Sequence, residues 1–262
     1  MMDCMDNRIS VIILAYNVEK YINKCLESIA DQTYRNFELV IIDDGSADNS
    51  LSIIKSFIQS HPDIDTILYT QNKSGPSAAR NKGIELSRGG YITFLDSDDF
   101  LEPCMFFDLF SIAVQTNADI VVGYHSRNND FLDLTEADRT IDVQSGSDFL
   151  NRCFTNVDGE YTNTTSVCGK LYKKSIWNSI RFPVGRAYED EAVFHRVMLQ
   201  AKTVVNTRVP YYHYINREGS IVNSKKNLKY VKDKAIAFEE RAKELQLLKH
   251  PLASKFAGKK EG

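Results

Sequence analysis

Residues 9–17 read Ile-Ser-Val-Ile-Ile-Leu-Ala-Tyr-Asn, a β-branched apolar run that stops on two polar side chains. A strand that is apolar at nearly every position is covered on both faces, the habit of parallel strands packed under helices. Residues 37–42 (FELVII) and 91–95 (YITFL) repeat the type. Residues 19–30 place Tyr21, Ile22, Cys25, Leu26 and Ile29 at helical spacing, and residues 50–58 do the same with Leu51, Ile53, Ile54, Phe57 and Ile58. Alternating strands and helices imply an α/β domain with a wound, mostly parallel central sheet and flanking helices. Right-handed crossovers then bring the ligand to the loops at the carboxyl ends of the strands.

Polar residues collect at those ends. Tyr16 and Asn17 follow the first strand, Asp43 and Asp44 the second, Asn72 and Lys73 a third, and Asp96 to Asp99 the fourth. Beyond Pro103 the pattern predicts a helix over 104–115 and a strand over 120–123, then a polar stretch, 124–142, read as a loop over the site. A helix over 187–201, two short strands at 203–207 and 210–214, and a long charged helix over 228–248 complete the expectation.

With 262 residues, 43% of them hydrophobic, the chain can bury one sizeable core. Five cysteines without a C-x-x-C pair argue against a disulfide framework or a zinc site, and point to a reducing, cytoplasmic setting. The short segment before Ile9, residues 1–8, lacks the length and flanks of a signal peptide or spanning helix. Residues 225–262 hold eleven Lys and Arg against five acids, so the first 224 carry the other 21 bases and 30 acids. That local basic excess suits a solvated helical tail, or a peripheral contact with an anionic membrane face. No nucleic-acid partner is expected.

The sharpest chemical signal is Phe94-Leu95-Asp96-Ser97-Asp98-Asp99, a strand that runs into three carboxylates within four positions. Like charges this close raise one another's pKa unless a cation sits among them, and hard oxygen ligands select Mn2+ or Mg2+. The plainer reading, acids capping a following helix, accounts for Asp99 but not for all three. In Asp43-Asp44-Gly45-Ser46, Gly45 suits a turn and Ser46 or Asp48 a helix cap, while Asp44 could accept a hydrogen bond from a nucleoside imide. Lys73, Ser74, Gly75, Ser77 and Arg80 form a glycine-bearing turn that enters a helix, an anion site by its backbone N–H groups and by the Arg80 fork. It matches neither G-x-x-x-x-G-K-[ST] nor G-x-G-x-x-G, so the common NTPase and dinucleotide readings lose support.

These segments, with others downstream, carry a resemblance: VIILAYN (11–17), IIDDGSADNS (41–50), QNKSGPSAARNKG (71–83), YITFLDSDDFLEP (91–103), GKLYKKSIW (169–177), YEDEAVFHRV (188–197) and YYHYINREGSI (211–221). Together they resemble the inverting family 2 glycosyltransferases of the GT-A fold, of the bacterial polysaccharide-biosynthesis type. The resemblance implies a donor site from Ala15, Tyr16, Asn17, Glu19, Asp44, Asn72, Lys73, Gly75, Arg80, Asp96, Ser97 and Asp98, closed by Arg217 and Ser220. Asp96 and Asp98 would be the DxD pair, with Asp98 the direct metal ligand, and Asp190 the general base. The first-turn acids 189–191 also suit a helix dipole without any catalytic role. His213, between tyrosines, is either a metal or diphosphate contact or a structural strand histidine. His61, His125, His195, His250 and Trp177 take no part in the expected site, and Cys168 stands where such chains carry a bulkier or amide residue.

The reading is therefore metal-dependent, inverting transfer from a UDP-sugar to a hydroxyl of a glycan or lipid-linked glycan. The domain would span residues 7–220, with donor binding over about 7–123 and the acceptor and catalytic part over about 124–220, followed by a basic helical segment, 221–262. A sugar-nucleotidyltransferase would open with a glycine-rich loop where Ala15-Tyr16-Asn17 stands. A phosphoacceptor receiver would leave Asp96 to Asp99 and Glu189-Asp190 unexplained, and a silent nucleotide-sugar-binding relative would have no use for both a DxD and a base.

Overall fold

The computed structural model describes residues 7–155, 165–216 and 228–257. Its first half is β1 (Ile9–Ala15), α1 (Ile22–Ala30), β2 (Phe37–Asp43), α2 (Ser50–Ser60), β3 (Thr66–Thr70), α3 (Pro76–Leu86) and β4 (Tyr91–Asp96). β1 pairs in parallel with β2 and β4, Ile9 facing both Phe37 and Tyr91, and β3 lies parallel outside β2. Every residue of β2 and all but Leu14 of β1 are buried, as a continuous apolar run requires. β3 is half exposed at the sheet edge, which is why its apolar pattern is weak.

The second half is β5 (Phe100–Leu101), α4 (Met105–Thr116), β6 (Ile120–Ser126), β7 (Ile141–Gln144), α5 (Gly146–Thr155), β8 (Lys170–Lys173), a 3-10 turn (Lys174–Trp177), α6 (Glu189–Gln200), β9 (Val204–His213), α7 (Leu228–Leu247) and α8 (Ala253–Ala257). Among the described residues one sheet forms in the order β3-β2-β1-β4-β8-β6-β9-β5, with β7 on β9. β8 runs antiparallel between β4 and β6, so β6 and its parallel neighbour β9 regain the direction of β4. The consequence decides the site. Ser126 and His213 end their strands on the same sheet edge as Ala15, Asp43 and Asp96.

Three local expectations change. The two short strands at 203–207 and 210–214 are one ten-residue strand, β9. It tolerates Pro210 because the β6–β9 register shifts on either side of Tyr124, opposite the proline, and a bulge needs no ladder N–H there. The loop expected over 124–142 is shorter, since β6 runs on to Ser126 and β7 begins at Ile141. Asp99 caps no helix, because β5 follows it and α4 starts only at Met105.

The halves are fused by aromatic packing. Trp177 is fully buried against Phe94 of β4 at 5.1 Å, Tyr172 of β8 at 5.3 Å and Phe182 at 5.3 Å between ring centres. α7 lies against α6 by charge as well as apolar contact. Three of its four acids are engaged by neighbouring elements: Asp233 accepts from the Ala187 N–H at 3.0 Å, Glu240 pairs with Arg186 at 2.9 Å, and Glu244 takes both His195 at 2.9 Å and Arg196. Arg241, with no exposed surface, donates to the Glu191 carbonyl and carboxylate, both at 2.6 Å, and stacks over Phe154 at 4.5 Å.

Candidate active site

The β1 and β2 ends form a tightly tied pair of loops. The Asp44 N–H bonds the Ala15 carbonyl at 2.9 Å, and the Asp44 carboxylate accepts from Gln71 Nε2 and from the Ser74 and Gly75 N–H groups, all at 2.8 Å. Asp44 thus shapes the turn that precedes α3, a task the sequence did not suggest for it. Gly75, at φ +87 and ψ 169, occupies a region open in practice to glycine alone, and Pro76 then starts the helix. Gly45 makes the turn expected of it, at φ +76.

Asn17 and Glu19 also serve the loops. Asn17 Oδ1 accepts from the Ala47 N–H at 2.8 Å, and Glu19 Oε2 accepts from the Asn49 N–H at 2.9 Å and its side chain at 2.8 Å. Tyr16 is partly exposed, and Lys73 lies over its ring at 4.2 Å while donating to its hydroxyl at 2.7 Å. Asn72, Lys73 and Ser74 are exposed beside them, so the cleft floor here is backbone and its rim is Tyr16 and Lys73.

Arg80, brought by α3 into the sheet edge and only 4% exposed, ties the remaining residues together. Its fork reaches Asp96 Oδ1 at 3.0 Å, Glu189 Oε1, and Asp190 Oδ1 at 3.4 Å. Burial works against its charge, but Asp190, Asp96 and Glu189 hold its pKa well above the usual arginine range. Residues 110 positions apart are thereby joined in one cluster, since Asp190 opens α6 on the far half of the chain. The first-turn position of the α6 acids, which also complements the helix dipole, is compatible with both roles expected of them.

Asp190 Oδ1 is enclosed without a hydrogen-bond partner, whereas Oδ2 accepts from the Val167 N–H at 3.2 Å and the side chain keeps about a fifth of its surface open. Burial pushes its pKa up to about 7, opposed by Arg80 and reinforced by Glu189 and Asp96. Lys170, buried nearby, is pushed down to about 8 by its own desolvation, with Cys168, Cys153 and Asp190 pulling it back up. The Cys168 thiol is buried and its pKa raised, chiefly by desolvation and Asp96.

The turn 96–99 closes with the Asp99 N–H on the Asp96 carbonyl at 3.0 Å, leaving Asp96 and Asp98 partly exposed and Ser97 and Asp99 buried. Tyr212 of β9 staples it, its hydroxyl accepting from the Asp96 N–H at 3.3 Å and donating to Asp99 Oδ2 at 2.5 Å. Asp99 Oδ1 takes the Ile215 N–H at 2.8 Å, and burial with the Asp96 and Asp98 charges pushes the Asp99 pKa to about 8. Asp99 is therefore a strut, and Asp96 and Asp98 are the carboxylates that face outward.

His213 is fully buried, stacked on Phe100 at 4.2 Å, with Nδ1 on the Asn128 carbonyl at 3.0 Å and Nε2 on Glu102 Oε1 at 2.7 Å. Both ring nitrogens are taken, so the structural alternative is the one its geometry favours, and no nitrogen is left for a metal. His195 pairs with Glu244, His250 with Ser147 at 2.8 Å, His125 with the Cys168 carbonyl at 3.2 Å, and His61 with the Phe57 carbonyl at 3.0 Å. Arg217 and Ser220 lie outside the described residues.

Among the described residues no group of three His, Cys, Asp or Glu forms a cage for a metal. Two outward carboxylates with hard oxygens fit a different arrangement, in which one or two side chains hold a divalent ion whose other ligands come from a diphosphate and water. Glu189, Tyr212 and Glu102 were not foreseen in these roles. Glu189 adjoined a residue singled out, but the pairing with Arg80 spans 109 positions and no spacing rule reports it.

The sequence profile of glycosyl transferase family 2 matches residues 10–180. Glycosyltransferase GlyG of Streptococcus pneumoniae serotype 4 is 32% identical over 90% of this chain and 80% of its own length. S. aureus TarS 1–349 in complex with UDP-GlcNAc superposes with a TM-score of 0.72 at 24% identity, over 89% of this chain and 66% of that one. The mannosyltransferase PcManGT of Pyrobaculum calidifontis, in complex with GDP-Man and Mn2+, gives 0.66 at 15% identity, over 90% of this chain and 64% of that one. The chain thus spans less than two thirds of both solved chains, and at these identities they establish the GT-A fold alone.

Proposed function

The chain belongs to glycosyl transferase family 2, and from that premise we propose that it moves a sugar from a UDP-sugar to a hydroxyl of a glycan or lipid-linked glycan in polysaccharide assembly, with inversion of the anomeric centre. The observation that carries the proposal is the Arg80 fork, which holds the outward carboxylate Asp96 and the enclosed carboxylate Asp190 in a single cluster. TarS is bound to UDP-GlcNAc in its complex and PcManGT to GDP-Man with Mn2+, which supports a nucleotide-sugar donor and a divalent ion here.

On this reading residues 7–123 bind the donor and residues 124–220 the acceptor. The main chain at Ala15 and Tyr16 and the Asp44-ordered turn would hold the nucleoside, Lys73 would face the diphosphate, Arg80, expected beside it, would instead order the carboxylates that occupy its fork, and Asp96 and Asp98 would hold Mn2+ or Mg2+. The ion, when bound, would neutralise charge on the departing diphosphate. Asp190, with a pKa near neutrality, would accept the acceptor hydroxyl's proton as its oxygen displaces the leaving group at the anomeric carbon, with no covalent intermediate. Arg217 and Ser220 keep their expected place over the diphosphate as part of this proposal.

The test is donor binding and turnover across a panel of nucleotide sugars with Mn2+, Mg2+ or chelator. Asp98→Ala should weaken metal-dependent donor binding, and Asp190→Asn should bind the donor but lose transfer by roughly 10²–10⁴-fold. Binding of no nucleotide sugar under any metal condition would end the reading.

We also assign the protein to the inner face of the cell membrane, peripherally. No described helix is long and apolar enough to cross a membrane. With Asp233, Glu240 and Glu244 engaged by neighbouring elements, α7 shows the outside its exposed Leu228, Val231, Lys232 and Lys243 with one exposed acid, Glu239. Such a face suits an anionic bilayer. Flotation with anionic but not neutral vesicles, lost in Lys232→Glu/Lys243→Glu, is expected; equal behaviour with both vesicle types would refute it.

A further inference from the structure

The segment after β6 is anchored from beneath with unusual care. Buried Glu102 accepts from the Leu132 N–H at 2.7 Å and engages His213, whose other nitrogen holds the Asn128 carbonyl at 3.0 Å. Lys24, over the Phe100 ring at 3.8 Å, donates to the Asn129 carbonyl. Phe131 stands edge-on to Phe100 at 5.2 Å and to His213 at 6.3 Å, yet remains about half exposed. All these anchors grip main chain or the underside of one ring. The Arg127, Asn128, Asn129 and Asp130 side chains are exposed and bond no other described residue, and with Phe131 and Leu132 they line a cavity of about 440 Å³.

Its position is set by topology. The segment leaves the carboxyl end of β6 at Ser126, which pairs with His213, on the sheet edge that also carries Asp96. Through Phe100 it is continuous with the 96–99 turn.

We propose that residues 127–132 form the acceptor subsite, that its occupant is a neutral, polyhydroxylated sugar residue, and that the buried Glu102–His213 pair positions it. The inference rests on the glycosyltransferase reading above. The lining chemistry selects the ligand: two amides that both donate and accept, one carboxylate and one guanidinium suit hydroxyl pairs. One ring with an open face suits the C–H face of a pyranose, as an apolar body with polar edges requires. Of the lining side chains one cation stands beside one anion, and the neighbouring Lys24 is held by the Asn129 carbonyl and the Phe100 ring, so the lining itself offers no net charge to recruit a phosphate, which distinguishes this subsite from the donor site.

The experiment uses the whole chain loaded with UDP and Mn2+, with 13C-labelled phenylalanine and the Phe131 resonance assigned by Phe131→Leu. Methyl β-D-glucoside, methyl β-D-galactoside, cellobiose and glycerol 1-phosphate are titrated in turn. A neutral glycoside should shift the Phe131 ring, and Asp130→Ala should weaken that binding, as loss of the Phe131 ring contact should, by up to about tenfold. Donor affinity should separate from acceptor KM in both variants. His213→Gln should raise acceptor KM at unchanged donor affinity, and a His213→Gln variant that merely melts earlier with parental acceptor KM would remove the positioning role. No shift with any glycoside, or a shift with glycerol 1-phosphate alone, overturns the subsite. If the parent protein binds no UDP or nucleotide sugar at all, the glycosyltransferase reading has failed instead.

Discussion

On one side of Arg80 the cleft is built from residues that directly follow the strands they cap, and on the other from residues collected across the chain. Asp44 orders the turn at 74–75 through bonds that span about 30 positions, and Asn17 and Glu19 tie neighbouring loops in the same way. The far side depends on pairings between Tyr212 and Asp99, His213 and Glu102, and Arg241 and Glu191, of which the first two span more than 110 positions. The proposed donor side is a set of preformed loops, and the proposed catalytic side is a packed assembly that holds its carboxylates only while the assembly is intact.

The harshest test of that contrast is Arg80→Gln, which removes the cation where the two sides meet. Breaking a buried pair and leaving its partners charged costs roughly 3–5 kcal/mol. Most of that loss should come from Glu189 and Asp190, because Asp96 is 38% exposed and its pair is discounted for solvent screening. The pH dependence has a definite sign. Asp190 binds its proton more tightly in the fold than in the unfolded chain, so stability declines as pH rises from the ordinary carboxylate range through about 7. On the proposed role of Asp190 as base, transfer by its ionised form should climb over the same upper range. Without Arg80, whose charge lowers this pKa against those of Glu189 and Asp96, the acid limb of the rate profile should move to higher pH and the melting deficit should grow with pH. An unshifted profile would separate Asp190 from the cluster.

The same contrast explains what could be read beforehand. The apolar runs of β1, β2 and β4 and the polar residues at their ends are local patterns, and the structure places them as expected. β8 and β5 are too short for periodicity to register, and a proline split β9 into two expected strands because its bulge depends on β6. The family resemblance marked Asp190, but not the struts around it. His195 and Glu244, or Arg80 and Glu189, become partners only after folding.

Arg241→Met tests the catalytic side further from its centre. The methionine retains an apolar body against Phe154 and Phe238 but removes the Arg241 donor from the Glu191 carbonyl and Oε2, leaving the carboxylate only Thr165 Oγ1 on Oε1 at 3.1 Å among the described side chains. Hydrogen bonds to a charged group of this kind are worth about 1.5–3 kcal/mol. Because Glu191 adjoins Asp190, transfer should fall while donor affinity is kept. Adding Glu191→Gln should recover part of the stability, since a neutral amide costs less to leave unpaired than a carboxylate. A lower donor affinity in Arg241→Met would mean that α7 supports both sides alike.

The mildest change belongs to the donor side. Lys73 holds Tyr16 by an exposed ring contact and one hydrogen bond, so Lys73→Met should move stability by no more than about 1 kcal/mol. The loop itself would stay in place, because Asp44, not Lys73, orders its main chain. What should change is donor affinity, and with it the salt dependence of binding, since the charge proposed to face the diphosphate is lost from a solvent-accessible rim. Calorimetric titration of UDP against UMP separates the possibilities: a loss confined to the diphosphate places Lys73 on the phosphates, whereas equal losses for both nucleotides would mean that it acts only by steadying Tyr16 against the nucleoside.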